Sequence, residues 1–187
     1  MRKIVFTLSF IGMAAFSWAQ EAVVEKSITG VQTGIIGIWI NNELGLTKEI
    51  ALRTEIGLDA GLMSGTYIDG TIFLLAPVIT AEPRWYYNLD NRQKKGKSTQ
   101  NNSGNFLGLN LSFHPDWFIL SNVNDLSVMN QISIIPKWGI KRSIGQHFNY
   151  EAAIGLGYRH IFKKEYGYFE DENEAALDLH LRIGYIF

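Results

Sequence analysis

Ser112 and His114 are the residues of this sequence whose types and spacing come nearest to those of a hydrolase. Two positions apart on a strand, their side chains lie on the same face, where an imidazole can take the proton of a serine hydroxyl. Glu151 or Asp178 could orient the imidazole, although their positions in the chain do not bring either carboxylate beside it. We favour the alternative, in which Ser112 and His114 form a hydrogen-bonded pair without a catalytic role.

A larger set of charged residues alternates with apolar ones. In residues 51–62, Arg53, Glu55 and Asp59 fall on one parity, and the leucines and isoleucine on the other. Six acids and six bases, Lys141 among them, share the charged parity of the predicted strands, so that they can neutralise one another if buried together. We expect a network that holds the strands in register, a selectivity or proton path being the alternative. Its predicted members are Glu43, Arg53, Glu55, Asp59, Glu82, Arg84, Lys137, Glu151, Arg159, Asp178 and Arg182.

One predicted loop, residues 88–104, is strongly basic. We expect it to be solvated, with contact to anionic headgroups, peptidoglycan or a periplasmic partner as the alternative. Its four cations are Arg92, Lys94, Lys95 and Lys97.

The sequence predicts neither a metal site nor a cofactor. The chain has no cysteine, which excludes a thiolate metal site, a cysteine nucleophile and a disulfide framework. The four histidines lack the spacing of metal ligands. Residues 163–175 crowd five carboxylates around aromatic side chains but lack a calcium-loop motif, and we expect a solvated loop there.

Strands must position these residues. Each predicted strand is longer than is usual in soluble proteins and long enough to cross a bilayer at a tilt. Seven segments alternate with a period of two: 31–46, 50–63, 71–87, 105–119, 128–142, 148–162 and 176–187.

A closed antiparallel sheet needs an even number of strands, so that an eighth is expected. We place it in AVVEKSI (22–28), followed by a turn at Thr29–Gly30. Pro77, Pro83 and Pro136 lie inside predicted strands, where a proline forfeits a ladder hydrogen bond. They predict bulges, interrupted ladders or incomplete closure.

Two architectures give this alternation, and they differ in which face is inside. A soluble sandwich buries the apolar parity, whereas a transmembrane barrel turns it to the lipid. Nine glycines share the charged parity; they weaken a solvent-facing strand but make room beside long charged side chains in a narrow lumen. On the apolar parity, aromatic residues concentrate toward one rim, as in the interfacial girdle of a membrane barrel. We therefore predict the barrel, with the soluble periplasmic sandwich as the alternative.

Residues 1–19 have the pattern of an export signal. MRK is a positively charged n-region, a 13-residue apolar stretch follows, and Ser17 and Ala19 stand at the small-residue positions of a cleavage site. Cleavage after Ala19 would leave residues 20–187 as one domain. Lys and Arg number 17 against 18 for Asp and Glu, so that the composition gives no reason to expect a nucleic-acid partner.

The terminal LDLHLRIGYIF, which alternates and closes on Phe187, resembles the C-terminal assembly signal of bacterial outer-membrane barrels. With the signal peptide, the strand pattern and EPRWYYN (82–88), the chain resembles the small OmpA/OmpX-like barrels. The resemblance implies eight antiparallel strands, a periplasmic C-terminus, contact with outer-membrane lipids and lipopolysaccharide, and delivery to the barrel-assembly machinery through the last strand. It also implies that residues 88–104 face the periplasm and 163–175 the outside.

The predicted function is a non-enzymatic structural or binding role in the outer membrane, with a largely filled lumen. One alternative is a lipid-modifying hydrolase, because a Ser-x-His pair on a barrel wall resembles the histidine and serine pair of the lipid A deacylases. In those enzymes, however, the histidine precedes the serine, and the pair faces the lipid. A narrow small-solute channel is the other alternative, although an eight-stranded barrel filled by side chains has no open pore.

Overall fold

The computed structural model describes residues 22–34, 37–63, 72–123 and 126–187, and the predicted signal peptide lies outside them. The described chain is all-β, with one short helix, α1 (Leu89–Lys94), and two 3₁₀ turns, Gln100–Asn102 and Lys163–Tyr166. Among the described residues, no helix has the length and apolar character needed to cross a membrane. The strands are β1 (Ser27–Gly34), β2 (Gly37–Gly45), β3 (Ile50–Met63), β4 (Ile72–Trp85), β5 (Asn105–His114), β6 (Leu120–Ser121), β7 (Gln131–Ile144), β8 (Phe148–Ile161) and β9 (Glu172–Ile186).

Eight of these strands form a closed antiparallel ring. The order is β3-β2-β1-β9-β8-β7-β5-β4, and β4 pairs with β3 to complete the circle. The first and last strands are neighbours, with Val31 opposite Tyr185. The two-residue β6 pairs with Leu74 and Leu75 of β4 and takes no part in closing the ring. The predicted all-β antiparallel class is thus confirmed.

The prediction for the eighth strand was wrong. Residues 22–26 form no strand, and the segment predicted as one strand over 31–46 instead contributes to two, β1 and β2. Thr29 and Gly30, where a turn was expected, lie inside β1 opposite Asn42 and Asn41. β1 ends at Gly34 and β2 begins at Gly37. The two residues between them are not of the polar types that usually mark a turn, and both lie outside the described residues.

The prolines interrupt the ladders without opening the ring. Along β4 and β5 no pair is formed at Pro83, and along β7 and β8 none is formed at Pro136, because proline has no N–H to donate. On its other side, Pro83 is paired with Leu52 of β3. Pro136 is likewise paired with Leu109 of β5. Strand pairing resumes on either side of each proline, so that closure is maintained.

The charged parity faces the interior of the ring and the apolar parity the exterior. Arg84 and Glu151 are fully buried, whereas Leu179 and Leu156 on the outside are 70% and 66% exposed. This distribution is the reverse of the one that a soluble sheet protein has. Large aliphatic side chains are therefore exposed on seven of the eight ring strands, β1 being the exception.

Glycines of the inward parity make room for large interior side chains. A Cβ on Gly57 would lie 2.5 Å from the indole of Trp39, and one on Gly139 would lie 2.5 Å from the ring of Phe106. A Cβ on Gly108 would lie 2.6 Å from the carboxylate of Glu82. Without these glycines, the interior could not hold its aromatic and charged residues in their present positions.

The two ends of the ring differ. At the end near Phe187, which we call the capped end, the segment between β4 and β5 folds over the interior. Its apolar core is formed by Ala22, Val24, Ala51, Tyr86, Leu89 and Phe106. Around the same rim lie the aromatic side chains of Trp85, Tyr87, Trp138, Phe148 and Tyr185, with Trp138 Nε1 donating to the hydroxyl of Tyr87 at 2.8 Å. A polar cavity lies toward the opposite end, which we call the open end.

Candidate functional site

Arg84 is the centre of a buried ion-pair network in the capped half of the ring. Its guanidinium lies 2.8 Å from Glu82, 3.0 Å from Glu43 and 2.7 Å from Glu151. These carboxylates belong to three different strands, β4, β2 and β8. A single cation therefore joins strands that are not all neighbours in the sheet, and its planar group suits several carboxylates at once.

The other buried cations extend the network. Arg53 contacts Glu43 and Glu151, each at 3.5 Å, and also pairs with its strand neighbour Glu55. Lys137 reaches Glu82 at 2.7 Å and Asp178 at 3.2 Å. Lys141 reaches Glu43 at 2.8 Å. Arg182 completes the set at 2.9 Å from Glu55 and stacks over the ring of Trp39.

Each buried charge of the network depends on its partners. Taking a charge out of water costs several kcal/mol, which a buried partner offsets only with good geometry. Here the four most buried carboxylates, Glu43, Glu55, Glu82 and Glu151, meet four cations, Arg53, Arg84, Lys137 and Lys141, that are equally enclosed. Because several of these pairs join non-adjacent strands, they favour one register of the ring and fill its middle.

Residues 88–104 form a cap rather than a freely solvated loop. Asn102 is fully buried and bridges two parts of the structure: its Nδ2 donates to Glu43 at 2.9 Å, and its Oδ1 accepts from the backbone of Glu25 at 2.8 Å. Ser103 lies against Ser143 of β7 at 3.0 Å. The predicted basic side chains of the segment stay at its surface, with Lys94 paired to Asp90 and Arg92 donating to the carbonyl of Ser98.

Replacing Asn102 by alanine is expected to loosen this cap. The variant loses a hydrogen bond to a buried carboxylate and a second to the backbone, which destabilises the docked segment by about 1.5 kcal/mol. Trypsin should then cleave the folded protein at the basic residues of 88–104 roughly tenfold faster, because cleavage follows the population of the open segment. Digestion followed by mass spectrometry measures the rate.

Asn91→Ala is the matched control, because Asn91 is an exposed residue of α1. Cleavage of N102A at the rate of N91A and wild type would show that Asn102 does not hold the cap.

The open half of the ring encloses a polar cavity of about 280 Å³. His114 lines it, and its Nε2 lies 2.9 Å from Oδ2 of Asp59. The other oxygen of Asp59 accepts a hydrogen bond from Trp39 Nε1 at 2.6 Å. The carboxylate that contacts His114 is therefore Asp59. Neither of the two candidates named from the sequence does so: Glu151 contacts His180 and Asp178 contacts Lys137.

Ser112 also lines the cavity, but it does not form the predicted pair with His114. The hydroxyl of Ser112 has no hydrogen bond to His114, and Nδ1 of His114 has no partner among the described residues. An activated serine requires its base within hydrogen-bond reach. The geometry therefore offers an oriented imidazole without an engaged nucleophile.

Asp59 and Arg159 are the predicted network residues that the structure leaves outside the connected core. Asp59 pairs with His114, and Arg159 pairs with Glu174 nearer the open rim at 3.1 Å. Lys141, counted from the sequence among the charges of the inward parity but not among the predicted network members, belongs to the connected core through Glu43. Asn102 and Tyr86, whose hydroxyl donates to Glu43 at 2.9 Å, were missed. Asn102 lies outside every predicted strand, whereas Tyr86 shares the parity of Glu82 and Arg84 within the predicted segment 71–87 but carries no charge.

The acidic segment is shorter than predicted, because β9 begins at Glu172. Glu172 and Glu174 are strand residues that pair with Lys163 and Arg159, instead of loop carboxylates free to gather around a cation. Among the described residues, no group of histidine, aspartate and glutamate side chains could hold a metal ion.

No protein-family model, no characterised protein and no solved structure matches this chain.

Proposed function

We propose that the chain is an integral outer-membrane β-barrel of the small OmpA/OmpX-like kind, with a structural or binding role at the cell envelope. The observation that carries the proposal is the inverted surface. Leucine and isoleucine side chains are exposed around the outside, while Arg53, Arg84, Glu43 and Glu151 are enclosed. An apolar surface of this extent is a liability in water and is the surface that a bilayer solvates.

The aromatic rim at the capped end supports the same proposal. Tyrosine and tryptophan side chains are favoured at the height of lipid headgroups, where an apolar ring and a polar atom are both solvated. Trp138 and Tyr87 join through a hydrogen bond at this rim, and Phe148 packs edge-on against Tyr185. With the C-terminus in the periplasm, as in the small OmpA/OmpX-like barrels, the capped end and Phe187 face the periplasm, and Lys95 and Lys97 lie on that side.

The filled interior favours a binding or structural role over transport. The ion-pair network occupies the middle of the ring, and the cap covers one end. A solute entering the cavity from the open end would have to break several charge pairs in order to cross. Ser112 has no hydrogen bond to His114, so this pair gives no support to the hydrolase alternative.

Membrane fractionation with a gel-shift assay tests the proposal. The chain expressed with residues 1–19 should lose them and accumulate in the outer-membrane fraction. It should also migrate differently in SDS before and after boiling, because a closed barrel resists cold detergent. In a planar bilayer, the purified protein should give no conductance steps.

An unshifted band in the soluble periplasmic fraction would contradict the proposal, and regular conductance steps would contradict the closed interior.

A further inference from the structure

A row of hydroxyl groups forms one wall of the cavity at the open end. Thr80 of β4 is opposite Ser112 of β5, and Ser112 is opposite Ser133 of β7. Because neighbouring strands lie about 4.8 Å apart, the three residues follow one another at that spacing on one level of the interior. All three line the cavity; we call them the hydroxyl row.

The hydroxyl row and its neighbours have unused hydrogen-bonding capacity. The side chains of Thr80, Ser112 and Asn110 make no hydrogen bond to any described residue, although Thr80 is 4% exposed and Asn110 9%. Ser133 accepts one long bond of 3.4 Å from Arg159. Buried polar groups are normally paired. The polar atoms of these side chains face the cavity, so that water or one molecule bound there supplies their partners.

The charges of the wall are already paired. Asp178 contacts Lys137, Arg182 contacts Glu55 and Arg159 contacts Glu174, while Asp59 accepts hydrogen bonds as described above. A charged ligand would have to displace one of these partners, which leaves a buried charge uncompensated. A neutral ligand leaves all of them intact.

We propose that this cavity binds a small neutral polyhydroxylated molecule, of the size of a single hexose unit. Hydroxyl groups both donate and accept, as threonine, serine and asparagine side chains require of a partner. The cavity of about 280 Å³ is close to the lower limit of small-molecule sites. The inference depends on the hydroxyl row and the paired charges, and it does not depend on where in the cell the protein resides.

Titration of the purified full chain with four sugars of similar size tests the inference. D-glucose and N-acetyl-D-glucosamine are the neutral probes, D-glucosamine adds an ammonium group and D-gluconate a carboxylate. Binding is followed by nuclear magnetic resonance through the backbone amides of Thr80, Ser112 and Ser133. At least one neutral probe should shift these resonances with saturation, and it should bind more tightly than either charged probe.

Two variants of the row and one control complete the experiment. S112A and the double variant T80V/S112A should weaken binding, the double variant by roughly tenfold. Thr54→Val removes a hydroxyl of the same kind from the outer face of β3, where Thr54 is exposed, and should leave binding unchanged. S112A alone provides the comparison if the double variant does not fold.

Three results would overturn the proposal. If no probe shifts the three resonances, water alone satisfies the hydroxyl row. If a charged probe binds more tightly than both neutral ones, the ligand class is wrong. If T54V weakens binding as much as the row variants do, the effect does not arise in the cavity.

Discussion

Replacing Arg84 by methionine is expected to destabilise strongly the folded form that resists cold SDS. Methionine keeps part of the side-chain volume but leaves Glu43, Glu82 and Glu151 without the cation at their centre. Removing one partner from a buried pair costs about 3–5 kcal/mol, a large part of the 5–15 kcal/mol that ordinarily separates folded from unfolded protein. Urea titration with the gel shift as readout measures the loss in the free energy of unfolding.

Arg159→Met is the matched control for this experiment. The pair between Arg159 and Glu174 is about one-third exposed, and such pairs contribute within about 1 kcal/mol. The double variant R84M/E151Q should recover part of the lost free energy of unfolding, because it removes one of the carboxylates that R84M leaves without a cation. An R84M protein as stable as wild type would show that the network does not stabilise the ring.

If the chain is the outer-membrane barrel proposed above, Leu179→Arg is expected to prevent its stable accumulation in the outer membrane. Leu179 is at the middle of β9, points outward and is 70% exposed. An arginine at the bilayer midplane of a barrel costs about 2–4 kcal/mol, whereas an exposed surface substitution in water changes stability by no more than about 0.5 kcal/mol. The amount of protein in the outer-membrane fraction, and the free energy of unfolding from lipid vesicles, measure the effect.

Phe169→Arg provides the comparison in the loop between β8 and β9. Phe169 is fully exposed and lies beyond the strand ends, where an arginine remains in water. F169R should therefore behave as wild type. If L179R and F169R both accumulate normally, the outer face does not contact lipid.

Strand type and inward parity could be predicted from the sequence for most of the chain. β3 begins and ends where the alternation of 50–63 does, and β8 lies within one residue of its predicted end. The prediction failed at β1 and β2, because the alternation of 31–46 has no polar turn residues between the end of β1 at Gly34 and the start of β2 at Gly37. The predicted strand 176–187 also began four residues after the start of β9. Glu172 and Glu174 are charged residues of the kind found in loops, and only the structure showed their cross-strand partners.

The candidate site was predictable in composition but not in connectivity. Parity identified which charges point inward, including Arg53, Arg84 and Glu151. It could not show that Asp59 would orient His114 or that Asn102 would reach Glu43. The first pair joins strands that do not neighbour each other in the ring, and the second joins a cap residue to a strand.

The sequence by itself determined an all-β chain of long strands with one charged and one apolar face. That information is local, because side chains alternate with a period of two on any strand. Only the tertiary structure decided which charges meet, where the ring is filled and where a cavity remains. Those features depend on strand order, on the register at closure and on the docking of residues 88–104, which bring together side chains far apart in the chain.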